Sequence, residues 1–212
     1  MKQILVLIAA VTFSAAAMAQ SDKFNSAMSG KIAEIDSAKT ADDFLASSAG
    51  FERIADAEKN QWLPYYYAAY TQALYALIKN DQPNNDQYAD KVDALLAKAD
   101  ALAPNNSEIS VIRSITATLR MLVDPMSRYQ VYGPAIEKAL GEAKTQDPSN
   151  PRPYFIQGQN LRYTPEQFGG GCGVAKPILE EAIKRYDAFK PASALHPHWG
   201  KKQASDLIAG CK

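Results

Sequence analysis

Tyr88-Ala89-Asp90-Lys91-Val92-Asp93-Ala94-Leu95-Leu96-Ala97-Lys98-Ala99-Asp100-Ala101-Leu102-Ala103-Pro104-Asn105-Asn106 decides the fold class. Tyr88, Val92, Leu95, Leu96, Ala99 and Leu102 recur three and four residues apart, the interval that lines side chains along one face of an α-helix. Pro104 cannot continue that helix, and Asn105-Asn106 supply the turn. The same arrangement recurs on both sides. Downstream, Ile109 to Val123 reads as a helix interrupted at Asp124-Pro125. Tyr132, Ile136, Leu140 and Ala143 line the next helix, which stops before Asp147-Pro148. A shorter helix covers 154–162, another runs from Val174 to Phe189, and a last one from about Trp199 to Ile208. Upstream, Leu63, Tyr66, Tyr67, Tyr70, Leu74 and Leu77 form one stripe. Phe24, Met28, Ile32 and Ile35 form another, and Phe44, Phe51 and Ile54 a third. Thr40, followed by Asp42 and Asp43, has the chemistry of an N-cap with acids in the first turn. Alternating β-branched runs and Asn-Gly or Asp-Gly turns are nearly absent, so the chain is expected to be all-α.

Pro104 and Pro148 end equivalent helices 44 residues apart, a period typical of stacked helical units. Val92, Leu96 and Ala99 before Pro104 correspond to Ile136, Leu140 and Ala143 before Pro148, and again to Ala175, Leu179 and Ala182. The following helices offer a small residue for close approach, Ser114 and then Gly158, the second with Tyr154 as its bulky companion; Tyr65 and Ala69 form the same pair upstream. On these residues the chain resembles the tetratricopeptide repeat (TPR) family over roughly 42–188. It departs from that family in length, with extra residues around Asp124–Tyr132, and at the first repeat, where Lys59 stands in the place of the closing proline. The resemblance implies an α-solenoid of about four antiparallel helix pairs plus a short C-terminal helix. Its concave face would hold a protein or peptide partner. Carried over residue by residue, the groove positions are Leu63, Tyr66, Tyr70 and Ala73, then Glu108, Val111, Ile115 and Thr118, then Arg152, Phe155, Gln159 and Arg162. Of these, Tyr66, Tyr70, Val111, Ile115, Phe155, Gln159 and Arg162 are the candidate partner-binding set.

The opening of the chain has a different character. Lys2, an apolar run from Ile4 to Phe13 and the small residues of Ala17-Met18-Ala19 make a secretory signal peptide at 1–19, cleaved before Gln20. What remains, 20–212, reads as one domain of 193 residues with 22 basic and 23 acidic side chains. That balance leaves no electrostatic footprint for nucleic acid or an anionic membrane surface. No later stretch is apolar for the roughly 20 residues that a membrane span needs. The expected location is periplasmic or secreted. In an oxidising compartment Cys172 and Cys211, the only two cysteines, are expected to form a disulfide. Redox pairs stand closer together, as in C-x-x-C.

No stretch carries an enzyme signature. Gly169-Gly170-Gly171 follows no strand and lacks the Lys-Ser/Thr that closes a phosphate loop. It reads as a permissive turn over which Phe168 packs down. His196-Pro197-His198 lacks a third nearby ligand for a metal and reads as the turn into the last helix, anchored by Trp199. Glu52, Asp56 and Glu58 read as a solvated helix face. The five tyrosines from Tyr65 to Tyr75 are either filler between helices or part of the groove. The function expected is therefore a non-enzymatic scaffold for a protein or peptide, with no cofactor. The alternatives are a structural or assembly subunit of an envelope complex, or an envelope enzyme or metal-binding protein in which the cysteines and histidines converge.

Overall fold

A computed structural model describes residues 22–211; the expected leader at 1–19 and the cleavage before Gln20 lie outside them. Among the described residues every regular element is helical: α1 (22–37), α2 (Ala41–Glu58), α3 (Trp62–Lys79), α4 (Asn85–Leu102), α5 (Ser107–Met121), α6 (Pro125–Gln146), α7 (Arg152–Tyr163), α8 (Cys172–Ala188) and α9 (Lys201–Ala209). No helix among them is long and apolar enough to cross a membrane.

Local chemistry sets the ends. Thr40 and Asp43 form a reciprocal capping box at the start of α2: the Asp43 amide donates to Thr40 Oγ1 at 3.2 Å, and the Thr40 amide to Asp43 Oδ2 at 2.8 Å. Lys59 and Asn80 close α2 and α3 in the left-handed conformation. Asp124 and Pro125 do not merely interrupt. Asp124 caps α6, Pro125 occupies its first position, and the extra residues around 124–132 are its opening turns.

From α2 onward consecutive helices pack against one another, and the odd-numbered helices also touch in the order α3, α5, α7 and α9; the Lys31 side chain of α1 lies against Gly50 of α2. Pairs α1/α2, α3/α4, α5/α6 and α7/α8 thus stack side by side, with α9 as a final half-pair. The repeat trios Val92/Leu96/Ala99, Ile136/Leu140/Ala143 and Ala175/Leu179/Ala182 are all buried between layers. Close approach depends on small residues opposite them. A Cβ on Gly158 of α7 would stand 2.7 Å from the Leu179 side chain of α8. On the outside, Arg120 of α5 bridges Asp90 and Asp93 of α4, and Arg128 of α6 binds Asp86 at 2.7 Å.

The far end of the stack is tied by the Cys172–Cys211 disulfide, whose Cα atoms are 5.4 Å apart. It joins the start of α8 to the residue following the α9 turn, within the span that unstrained bridges favour. Two local expectations are corrected. Phe168 does not pack down, being 56% exposed on a short 3-10 turn. Trp199 lies outside α9, because Gly200 intervenes with φ of 109° and turns the chain beneath the Tyr186 hydroxyl.

Candidate binding site

The inner face of the stack carries the groove positions, but that face is not open. Tyr66, Tyr70, Val111, Ile115 and Phe155 are all buried, which corrects the expectation of an exposed surface there. Gln159 and Arg162 are half-buried. Part of the covering is the chain's own segment between α8 and α9. The Trp199 indole stacks on Tyr70 with ring centroids 4.5 Å apart, and its N–H donates to the Tyr66 hydroxyl at 2.9 Å. The Tyr67 hydroxyl donates to the Leu195 carbonyl at 3.0 Å. The inner face thus holds an intramolecular peptide.

Beneath this segment lies a buried polar hub. Arg152, the first residue of α7, is fully buried. Its guanidinium donates to Glu108 Oε1 of α5 at 2.7 Å, to Asn150 Oδ1 at 3.2 Å, and to the Pro197 carbonyl. Glu108 also accepts from Tyr66 at 3.2 Å and from the Asn150 amide at 2.9 Å. Phe189 and Trp199 cover the guanidinium with their rings, 5.1 and 5.5 Å away. Burial pushes the Glu108 carboxyl above the ordinary carboxylate range, while Arg152 and the donors from Tyr66 and Asn150 pull it back. Burial likewise drives the phenols of Tyr66, Tyr67 and Tyr70 up, so they act as neutral hydrogen-bonding groups.

The hub closes the floor of a cavity of about 350 Å³ at the N-terminal ends of α3, α5 and α7. Trp62, the first residue of α3, forms part of the wall. The α4–α5 turn contributes Asn105, Asn106 and Glu108, and the α6–α7 turn contributes Asp147 and Ser149. The segment after α8 supplies Phe189, Lys190 and His196. The His196 ring stands edge-on to Trp62 at 5.7 Å, and its Nδ1 lies 2.8 Å from Ser193 Oγ. Burial first, and the Arg152 charge second, hold the imidazole below its ordinary pKa, which keeps it neutral at neutral pH. His198 turns the other way, beside Ile32, Ile35 and Asp36 of α1, so the two histidines do not share a site. Among the described residues no group of three or more His, Cys, Asp or Glu side chains is placed to hold a metal ion.

The cavity falls in the size range of small-molecule sites, roughly 300–1,000 Å³. Its aromatic walls, one ammonium and one neutral imidazole suit a flat, largely apolar molecule bearing carboxylates. Sequence reasoning kept Glu108 and Arg152 only as separate groove positions. Opposite charges at equivalent positions one repeat apart were the signal for their pairing. Trp62, Phe189 and Lys190 carried no signal, because a chain reversal after α8 brings them together.

No protein-family model matches the chain, so the tetratricopeptide resemblance is not confirmed at that level, and no curated protein sequence matches it either. Among solved structures the chain is similar to the HusA haemophore from Porphyromonas gingivalis. The two are 37% identical, the match covers 89% of this chain and 92% of that one, and the TM-score is 0.79. That neighbour is a binding protein rather than an enzyme, and it is also all-helical.

Proposed function

Because the chain belongs to the family of the HusA haemophore, we propose that it is an exported, non-enzymatic carrier that takes a haem-type tetrapyrrole into the cavity beside Trp62. The observation that carries this reading is the lining of that cavity. Trp62 and Phe189 offer aromatic surface to a planar ring, and Lys190 offers a cation to its carboxylates. Asn105, Asn106 and Ser149 supply polar contacts at the rim. Of the two acids in the lining, Glu108 is compensated by Arg152, and Asp147 accepts from the Ser149 amide and hydroxyl.

The mechanism is pre-organisation. Arg152 holds the Pro197 carbonyl and Tyr66 holds the Trp199 indole, so the wall carrying Phe189, Lys190 and His196 is in place before a ligand arrives. The disulfide ties the end of that same C-terminal region to α8. Export to an oxidising compartment agrees with that bridge.

The test is an absorbance titration of the mature protein with haemin and with iron-free protoporphyrin, alongside Trp62→Ala and Phe189→Ala. Each aromatic contact is worth about 0.5–1.5 kcal/mol beyond its buried area, so each variant is expected to lose on the order of tenfold in affinity with its helical signal intact. A wild type that binds neither porphyrin, or variants that bind as tightly as wild type, would sink the proposal.

A protein partner is the second reading, and one observation favours it. Tyr163, Phe168 and Val174, at the C-terminal end of α7 and the start of α8, are exposed, and so are Met126, Tyr129 and Val131 on α6. All belong to the end of the helix pairs opposite the cavity. Gln159 and Arg162 approach the same end of α7. A carrier that hands its ligand on could dock there without blocking the cavity. Loss of a captured partner on Tyr163→Asp/Phe168→Asp, with haemin binding retained, is the expected result; retention of that partner would refute this second reading.

A further inference from the structure

We infer that the Cys172–Cys211 disulfide is a redox lock on the segment 190–200: a dithiol reductant that opens it frees α9 and lets the segment lift from the inner face. The inference goes beyond the carrier reading and does not depend on it. The segment lies on the inner face as an extended peptide. The carbonyls of Leu195, Pro197 and Trp199, at alternate residues, accept from Tyr67 at 3.0 Å, from Arg152, and from Tyr186 at 3.0 Å. Leu195 and Pro197 are buried while His198 is exposed, the alternation of an extended chain with one side turned inward. Among the described residues no backbone–backbone hydrogen bond joins 190–199 to a helix. Residues 190–194 are exposed and leave slack before the first of these contacts. The segment is therefore kept down by a few side-chain latches and by whatever fixes its far end.

That far end is α9, and α9 is weakly held without the bridge. It has nine residues, fewer than the roughly 12–15 below which an isolated helix is marginal in water. Ala204 is its one fully buried residue, Leu207 and Ile208 are half-buried, and the Lys201–Asp187 ion pair is open to solvent on both sides. Such a pair adds little. The disulfide supplies the rest by tying Cys211 to α8. The bridge is also placed to be reduced while the protein stays folded. Neither cysteine is fully buried. Cys172 is the first residue of α8, where free amides and the helix dipole favour a thiolate. A thiolate of the reductant attacks Cys211 Sγ, and the electron pair of the broken S–S bond leaves on Cys172, which then takes up a proton. The reductant's second thiol attacks its own sulfur in the mixed disulfide and releases Cys211 as a thiol. The protein gains two electrons and two protons, and the reductant departs as a disulfide. A stabilised leaving thiolate makes this exchange faster. With the bridge open α9 frays, Gly200 at φ of 109° serves as the pivot, and the Trp199 indole parts from Tyr70. The aromatic face of Tyr66 and Tyr70 is then uncovered.

The experiment uses Trp62→Phe, which leaves Trp199 as the only tryptophan, so that its emission reports the segment. The mature protein with that substitution is compared oxidised, reduced with dithiothreitol, and as the additional Cys172→Ser/Cys211→Ser variant, all without denaturant. Reduction is expected to shift Trp199 emission to the red and to raise its quenching by acrylamide. Amide exchange in α9 should speed up on the order of tenfold or more, with α3 to α7 unaffected. The serine variant should match the reduced protein, and oxidised glutathione should return the reduced protein to its starting emission. Unchanged Trp199 emission and α9 exchange, with both thiols shown free by alkylation, would overturn the inference. So would melting of α3 to α7 together with α9, which would make the bridge a support for the whole fold. A bridge that dithiothreitol opens only in urea would overturn it as well. Porphyrin binding enters none of these readouts, so failure of the carrier reading and failure of this inference are told apart.

Discussion

Replacing Arg152 with alanine should cost more stability than any other single change at the inner face. The guanidinium is fully buried, so solvent does not screen its interactions. Removing it strands the Glu108 carboxylate, whose side chain is only 10% exposed, and releases the Pro197 carbonyl. Breaking a buried pair by deleting one partner costs about 3–5 kcal/mol, because the remaining charge stays desolvated. For a chain of this size that corresponds to a fall in melting temperature of roughly 6–20 °C. Urea unfolding followed by circular dichroism measures the loss. Arg152→Met combined with Glu108→Leu should recover much of it, since neither charge is then left without its partner. The reasoning is refuted if Arg152→Ala loses less than about 1 kcal/mol, or if the double variant is less stable than Arg152→Ala.

Gly158→Val should destabilise the protein by about 1–3 kcal/mol through overpacking against Leu179, read by thermal melting; an unchanged melting temperature would contradict the close approach of α7 and α8. Cys172→Ser/Cys211→Ser should lose up to about 4 kcal/mol on the chain-entropy estimate, and wild type under reductant should match it in urea midpoint; a difference between the two would contradict a purely cross-linking role. Stability should also fall as the pH drops. His196 has a depressed pKa when folded, so below neutrality the unfolded chain binds more protons than the folded one in the window beneath its ordinary value of 6.5. Glu108, whose pKa is raised, acts with the opposite sign nearer the carboxylate range. His196→Gln should therefore flatten the decline between about pH 7 and 5.5, and an unaltered profile would count against the depressed value.

Much of the helix layout was legible in the sequence because it depends on short-range chemistry. Thr40 caps α2, the trio around Leu96 faces inward, and Gly158 marks a close helix contact, each readable from neighbours within a turn or two. The repeat spacing carried that reading from one pair to the next. The site was harder to read. Groove positions transferred by resemblance included Tyr66, Glu108 and Arg152, which meet in one buried hub, but could not reveal what covers it. Trp199 is 133 residues from Tyr66 in sequence, and no local pattern announces that the indole will donate to that phenol. The same long-range return of the chain makes a wall of Phe189, Lys190 and His196. His196 was visible as part of a histidine pair, yet counting the pair as one candidate ligand set obscured that its two rings face different cavities.

The most direct test of the carrier account is amide chemical-shift mapping of the isotopically labelled protein titrated with zinc protoporphyrin, a diamagnetic stand-in for haem. The account predicts saturable shifts at the Trp62 indole and in 105–108, 149 and 189–196, where the cavity is lined. Shifts confined to the opposite end, around Met126, Tyr129, Tyr163 and Phe168, with the cavity residues unmoved, would contradict it.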